Sequence, residues 1–463
     1  MPVRKYNYYD FTLSLCPTCL KRVDAKIVFE DEKVYMLKRC KDHGNSKVLI
    51  ADDVEYYKNI RNYNKPSETP YKFNTKVHYG CPYDCGLCTD HEQHSCLTIV
   101  EVTDRCNLTC PTCYAGSSPS YGRHRTLDEI KQMLDTIVAN EKEPDVVQIS
   151  GGEPTIHPQF FEILDYAKTL PIRHLMLNTN GIRIAKEKEF AKRLKEYSPD
   201  FEIYLQFDSF DDAVLQQLRG ASLSEIRKKA IENLNELNLS TTLVVTLQKG
   251  LNDSEIGNII EYALRQRSVR GVTFQPTQIA GRIENFDPET DRMTLTEVRR
   301  KILEQTSIFK KDDLIPVPCN PDALVMGYAL KIDGEVFPLT RYVNPADLLN
   351  NSKNTIVYEQ DSTLHGKMID LFSTGNSVEC AEENLKSIMC CLPKIEAPNL
   401  GYDNLFRIII MQFIDAYNFD VRAIKKSCAH IVDKDYKIIP FETMNLFYRD
   451  DKKEVVKAIQ NEL

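Results

Sequence analysis

Six short apolar runs, separated by five amphipathic stretches, occupy residues 97–285 and restrict the fold more than any other feature of the chain. The runs are LTIVEV (97–102), VVQIS (146–150), HLMLNTN (174–180), EIYLQFD (202–208), TTLVVTL (241–247) and GVTFQP (271–276). Between them lie LDEIKQMLDTIVAN, FFEILDYAKTL, KEFAKRLKEY, LSEIRKKAIENLNEL and SEIGNIIEYALRQ, whose apolar residues recur at helical spacing. Strand and helix in alternation predict a parallel sheet. Runs that are apolar at nearly every position predict strands covered on both faces. Six units rather than eight predict a partial barrel. In a sheet of this kind ligands bind beyond the carboxyl ends of the strands, so residues at those six ends are the candidates for chemistry.

The 463-residue chain carries 15 cysteines, and seven of them fall between residues 81 and 113. MPVRKYNYYDF at the N-terminus has no apolar h-region, and no run of about 18 apolar residues occurs, so neither a secretory signal nor a membrane span is expected. The expected location is the cytoplasm, where thiols stay reduced and disulfides are rare. Spacings of two and three residues are then ligand spacings. Cys380, Cys390 and Cys391 lack such spacing to a further donor and read as structural. The formal net charge of -8 removes the basic footprint that nucleic acid binding requires.

C-x3-C-x2-C occurs twice, at Cys81, Cys85 and Cys88 and again at Cys106, Cys110 and Cys113. The second triplet directly follows the first apolar run. Three thiolates on one loop hold three irons of a [4Fe–4S] cube and leave the fourth iron open to another ligand. Polar residues punctuate the later strand ends in register: Ser150-Gly151-Gly152-Glu153-Pro154 after the second, Asn178, Thr179 and Asn180 at the third, Gln206 and Asp208 at the fourth.

CNLTCPTC followed one unit later by SGGEP resembles the radical SAM superfamily, over roughly residues 95–285. The resemblance implies that Cys106, Cys110 and Cys113 bind a [4Fe–4S] cluster and that its open iron binds S-adenosylmethionine. It implies that Gly151, Gly152, Glu153 and Pro154 hold the methionine amino group. Asn178, Asn180, Gln206 and Asp208 would face the ribose and methionine moieties. Val244–Leu247, with Thr246, and Phe274–Pro276 would flank the adenine. Thr112 stands where many relatives carry an aromatic before the third cysteine, and Tyr114 follows instead. The implied chemistry is homolytic cleavage to a 5′-deoxyadenosyl radical that abstracts hydrogen from substrate.

Cys96 follows the first triplet by eight residues, so Cys81, Cys85, Cys88 and Cys96 are expected to close an auxiliary [4Fe–4S] cube, with tetrahedral zinc as the alternative. His91 and His94 of the same loop read as hydrogen-bonding rather than ligating. Near the N-terminus, Cys16-Pro-Thr-Cys19 and Cys40-Lys-Asp-His43 flank β-like DAKIVFE and KVYMLKR, which predicts a zinc-ribbon or rubredoxin-like knuckle holding zinc or one iron. The expected division is a knuckle module at 1–75, an auxiliary cluster segment at 76–96, the core at 97–285 and a mixed, mostly helical C-terminal region at 286–463. Within the last, YALKIDGEVFPLT predicts a hairpin turning at Asp333-Gly334, and LFRIIIMQFIDAYNF (405–419) reads as a core helix too short to span a bilayer.

The knuckle, GCPYDCGLCTDHEQHSC, VTDRCNLTCPTC, SGGEPTIHP and the late FIDAYNFDVR…CAHIV…KIIPF together resemble the tetraether synthase family. The resemblance implies a transferase of lipid biosynthesis that forms C–C bonds between alkyl chains. Its alternative is methylation of a pterin-type or other small substrate, or peptide modification. No separate cobalamin-binding domain is apparent. The family resemblance also implies a further cluster, for which this chain keeps Cys319 and Cys428 but carries Asp322, Ser427 and Glu442 at neighbouring positions, which argues against a third cube. The expected partners are a lipid or other hydrophobic substrate, an electron donor such as ferredoxin or flavodoxin, and a peripheral contact with the membrane.

Overall fold

The computed structural model describes residues 4–63, 68–332, 334–341 and 404–463. Cys380, Cys390 and Cys391 lie outside the described residues, as does Asp333.

The N-terminal strands β1 (Asn7–Leu15), β2 (Arg22–Glu30), β3 (Lys33–Cys40) and β4 (Gly44–Ala51) form an antiparallel meander. Alternating burial along β3 gives the sheet one packed and one solvated face, as antiparallel sheets allow. Helix α1 (Val54–Asn59) follows. Buried Lys38 donates to the carbonyls of Leu15 (2.8 Å), Ala416 (2.9 Å) and Tyr417 (2.7 Å), which joins this sheet to the C-terminal region.

All six expected core strands form: β5 (Leu97–Thr103), β7 (Val146–Gly151), β8 (His174–Thr179), β9 (Phe201–Gln206), β10 (Thr241–Leu247) and β11 (Val269–Pro276). Two-residue pairings complete the numbering, β6 (Thr112–Cys113) with β12 (Arg282–Ile283). The intervening helices are α2 (Leu127–Glu141), α3 (Phe160–Lys168), α4 (Ile182–Lys186), α5 (Lys188–Lys195), α6 (Asp212–Arg219), α7 (Ser224–Leu237) and α8 (Ile256–Arg265). Helix α2 starts in a capping box, with Thr126 Oγ1 accepting from Glu129 N and the Glu129 carboxylate accepting from Thr126 N. Helix α8 turns Ile256, Ile259, Ile260 and Ala263 onto the sheet. Each such isoleucine contributes about 1.5–3 kcal/mol by leaving water.

The C-terminal region extends this sheet at both ends. After α9 (Leu295–Gln305) come β13 (Ile315–Pro316), β14 (Leu324–Ile332), β15 (Glu335–Pro338), β16 (Leu405–Met411), β17 (Ala429–Val432) and β18 (Ile438–Pro440). The order is β13-β14-β16-β11-β10-β9-β8-β7-β5-β17-β18, with β15 pairing β14. β16 runs parallel to β11, and β17 parallel to β5. The expected hairpin is present as β14 and β15. The run expected to be a core helix begins instead as strand β16. Its LFRIIIM is short, continuously apolar and rich in β-branched isoleucine, the composition that periodicity alone cannot separate from a helix. Among the described residues no helix is long and apolar enough to cross a membrane.

Candidate active site

Cys106, Cys110 and Cys113 occupy the loop beyond β5 and line one cavity together with the strand ends. Arg282 fastens that loop, its guanidinium donating to the carbonyls of Cys110 (2.6 Å) and Ser117 (2.7 Å). Burial pushes the Cys106 thiol up to about 12, and the nearby Glu153 carboxylate adds to the rise. Burial also raises Cys110, while Arg219 acts in the opposite direction. Sulfurs held this way need a cation to become thiolates.

Gly151 and Gly152 bring the second strand end against this loop. Gly151 has φ +121°, and a Cβ there would lie 2.3 Å from the Thr103 carbonyl oxygen. A Cβ on Gly152 would lie 2.1 Å from the carbonyl oxygen of Arg105. The absent side chains let Gly152 N donate to Thr103 O (2.8 Å) and Glu153 N to Arg105 O (2.9 Å). The buried Glu153 carboxylate accepts from Thr155 Oγ1 (2.6 Å), Thr179 Oγ1 (2.8 Å) and Asn180 N (2.8 Å), which locks the second strand end to the third.

A hydrogen-bonded row crosses the remaining strand ends. Tyr114 Oη lies 3.2 Å from Ser150 Oγ. Asn178 Nδ2 donates to Ser150 Oγ (2.9 Å), and Gln206 Nε2 donates to Asn178 Oδ1 (2.9 Å). Arg219 donates to Gln206 Oε1 (3.0 Å), Thr246 Oγ1 (2.8 Å) and both Asp208 oxygens (2.7 and 2.6 Å). The structure therefore brings Gly151, Gly152, Glu153, Asn178, Asn180, Gln206 and Thr246 to the cavity wall, together with Thr179.

Two expected ligand residues are placed elsewhere. Pro154 opens the short turn Pro154–Ile156 and does not line the cavity. Asp208 is fully buried beneath Arg219 and is not on the wall. Burial alone would raise its carboxyl, but the Arg219 guanidinium holds it below the ordinary carboxylate value. The group that reaches the cavity is Arg219, the last residue of α6. A helix-terminal cation is a common surface feature, so nothing in the local sequence marked it. Arg227, from α7, also lines the cavity and is buried, with its Nε lacking a hydrogen-bond partner.

The same cavity is lined as well by Leu97, Ile99, Gln148, Tyr204, Gln275, Met411, Phe413 and Phe441. Gln148 is buried and its Oε1 has no partner. Gln275 Nε2 donates to the Tyr204 hydroxyl at 3.1 Å. The rings of Phe413 and Phe441 approach to 4.1 Å between centroids. These orphaned polar atoms and the glycine cradle fit a polar nucleoside-bearing cofactor beside the thiols.

Cys81, Cys85 and Cys88 line a separate recess with Asp84, Asp90, His91 and Lys425. Cys96 is not with them. It immediately precedes β5, and Leu97 N donates to the Cys428 carbonyl (3.0 Å), which sets Cys96 beside Cys428 and Cys319. Adjacency in sequence suggested the wrong fourth partner, because the pairing of β5 with β17 sets the Cys96 thiol against Cys428 and Cys319 instead of against Cys81, Cys85 and Cys88. His91 Nε2 lies 2.8 Å from the Ser427 carbonyl oxygen, a hydrogen-bonding role as expected. Asp322, one of the substituted positions, is engaged by Arg61 at 2.7 Å.

At the knuckle the four expected donors Cys16, Cys19, Cys40 and His43 do converge, with all ligand atoms within 4.8 Å of one another. Cys16 Sγ and Cys40 Sγ lie 3.6 and 3.5 Å from His43 Nδ1. Backbone N–H of Asp42 and the His43 side chain lower the Cys40 thiol to about 6, which favours a thiolate ligand.

A family model of the radical SAM superfamily matches residues 100–263. A model of the HMPTM N-terminal zinc ribbon domain matches residues 8–52. The 7,8-dihydro-6-hydroxymethylpterin dimethyltransferase of Methanocaldococcus jannaschii is 33% identical over 486 aligned positions, covering 96% of this chain and 94% of that one. A probable GTP 3′,8-cyclase of Methanococcus maripaludis is 28% identical over 164 residues, 35% of this chain and 53% of that one. Among solved structures, Streptococcus suis SuiB bound to S-adenosylmethionine aligns with 46% of this chain and 47% of its own, at 17% identity and a TM-score of 0.37. The thiolate loop at the first strand end, the ribbon ahead of it and a relative matched nearly end to end converge on one conclusion: the chain is a radical SAM enzyme and belongs to the zinc-ribbon-bearing branch of that superfamily.

Proposed function

We propose that the protein is a radical SAM methyltransferase acting on a reduced pterin or a similar small heteroaromatic substrate. The observation that carries this reading is the set of amide, hydroxyl and aromatic side chains that share one cavity with the three thiols. Gln148, Gln275 and Tyr204 line the same cavity as the paired rings of Phe413 and Phe441. A fused heteroaromatic ring offers hydrogen-bonding edges and a flat apolar face, and such a wall suits both. The pterin methyltransferase relative covering nearly the whole chain supports the same substrate class. Coupling of lipid alkyl chains finds no support in these comparisons.

Cys106, Cys110 and Cys113 would hold the cluster, and the cluster with S-adenosylmethionine supplies, when bound, an organic radical able to abstract hydrogen. The residues around it position and shield. Gly151 and Gly152 give close backbone approach, while Asn178, Asn180, Gln206 and Thr246 offer polar contacts for the nucleoside and methionine. Arg219 places a guanidinium on the wall where a carboxylate would be neutralised, and Asp208 behind it fixes its direction. An electron donor of the ferredoxin or flavodoxin class is needed to reduce the cluster. Cys81, Cys85 and Cys88 would bind a second cluster, and the ribbon cysteines with His43 would bind zinc or one iron.

The test is anaerobic reconstitution with iron and sulfide, followed by S-adenosylmethionine and dithionite. Adding 7,8-dihydro-6-hydroxymethylpterin should raise 5′-deoxyadenosine release at least tenfold over the rate without substrate. Stimulation by an alkyl lipid and none by the pterin would reverse the substrate assignment.

A further inference from the structure

We propose that Cys96, Cys319 and Cys428, with His94 as fourth ligand, form a mononuclear zinc-class site that ties the two ends of the core sheet together. The three thiols are each no more than 4% exposed, and all three sulfurs lie within 4.8 Å of one another. Cys319 Sγ and Cys428 Sγ are 3.8 Å apart. Tetrahedral zinc with Zn–S bonds of about 2.3 Å places its sulfurs about 3.8 Å apart. The ribbon site repeats this spacing, with Cys19 Sγ and Cys40 Sγ at 3.9 Å. Neither Cys106, Cys110 and Cys113 nor Cys81, Cys85 and Cys88 gathers within that radius among the described residues, as suits thiolates that span a cube instead of one ion.

His94 meets the trio at Cys96, its Nε2 lying 3.4 Å from the sulfur. His94 gathers with Cys96 and Asp145 and not with all three sulfurs, so completing the tetrahedron requires Nε2 to shift toward Cys319 and Cys428 when the ion binds. The other ring nitrogen, Nδ1, is 3.2 Å from Glu141 Oε2, and Glu141 Oε1 is fixed by Ser95 N at 3.0 Å. A carboxylate on the far nitrogen of a histidine orients that ring for a metal. Asp145, also buried, points Oδ2 at the same imidazole from 3.8 Å and has no hydrogen bond through that atom. Two buried carboxylates around one histidine and three sulfurs make a negatively charged shell that favours a divalent cation.

The placement gives the ion a mechanical role. Cys96 and Cys428 immediately precede β5 and β17, near one end of the sheet, whereas Cys319 precedes β14, near the other end. Met411 packs in the cluster that holds these cysteines, Phe413 packs against it, and both residues also line the cavity. An ion here would close the open side of the partial barrel next to the substrate wall.

The test counts metals in the full chain, purified anaerobically with its clusters. Cys319→Ser and Cys428→Ser should each lose one zinc per chain, with iron content and ribbon metal unchanged. Glu141→Gln should keep the ion but lower its affinity 10–100-fold against a competing chelator. If the cysteine variants are insoluble, native mass spectrometry of the unmutated chain after oxidative stripping of labile clusters should still show two single-ion adducts. Loss of about four irons in the cysteine variants would mean a cube and overturn the proposal. Unchanged metal in those variants, or a single ion retained only by the ribbon, would overturn it as well.

Discussion

Replacing Arg407 by methionine should cost about 3–5 kcal/mol at neutral pH, because a buried carboxylate loses its guanidinium. Arg407 lies on β16, yet its Nη2 donates to both oxygens of Glu202 on β9, at 2.6 Å each, and to Thr242 on β10 at 3.1 Å. The side chain crosses the intervening β11 at Gly271, where a Cβ would sit 2.6 Å from Arg407 Cγ. Glu202 is fully buried. Burial alone would raise its carboxyl, but Arg407 first and then His174 hold it far below the ordinary glutamate value. A depressed carboxyl contributes stability above its unfolded value near 4.5 and loses it as pH falls toward the folded value. In the variant that carboxyl moves upward and takes a proton more readily. The deficit should therefore be largest at pH 7 and narrow steadily toward pH 5. Urea titration reads this as a shifted midpoint at unchanged slope. Adding Glu202→Gln to Arg407→Met should recover at least half of the loss. A single variant within about 1 kcal/mol of the parent at pH 7, or a double variant no better than the single, would refute the reasoning.

Other expectations follow from the same geometry. Alanine at Cys106, Cys110 or Cys113 should abolish 5′-deoxyadenosine release and remove about four irons per chain, measured by chromatography and iron analysis. Arg219→Lys keeps the charge but loses the forked contact with Asp208, and should raise KM for S-adenosylmethionine about tenfold. Thr126→Ala should cost about 1 kcal/mol by opening the capping box of α2. Glu129, lowered to about 2 by its bonds to Arg123 and Thr126, should contribute stability above pH 4.5 that fades as pH falls toward 2. Partial exposure and salt screening keep that contribution below about 1 kcal/mol, and Glu129→Gln should lessen the acid slope of stability by that amount, leaving the share of the other depressed carboxyls.

The core was legible because its signal is local. TTLVVTL forms a strand over those same residues, 241–247, and the glycines of SGGEP lie where a close backbone approach excludes a Cβ. The knuckle was legible for the same reason, since four donors on two short turns have few other ways to meet. What the sequence hid is non-local. Cys96 follows Cys88 by eight residues, but its thiol is set by a strand that pairs with β17, more than 330 residues later. Arg219 sits on a helix end, and only packing of α6 against the fourth strand end turns it onto the cavity. Asp208 looked like a ligand because it ends a strand run, yet it supports Arg219. LFRIIIM lacked a period that separates helix from strand, and its place beside β11 decided the matter.

The measurement that bears most directly on the account is the mass of the pterins in cells producing this chain. Expression of the wild-type chain in a host that makes reduced pterins should give a species heavier by one or two methyl groups. The Cys106→Ala chain, expressed alongside, should give none. Unaltered pterins in cells whose purified enzyme still releases 5′-deoxyadenosine would contradict the proposed substrate.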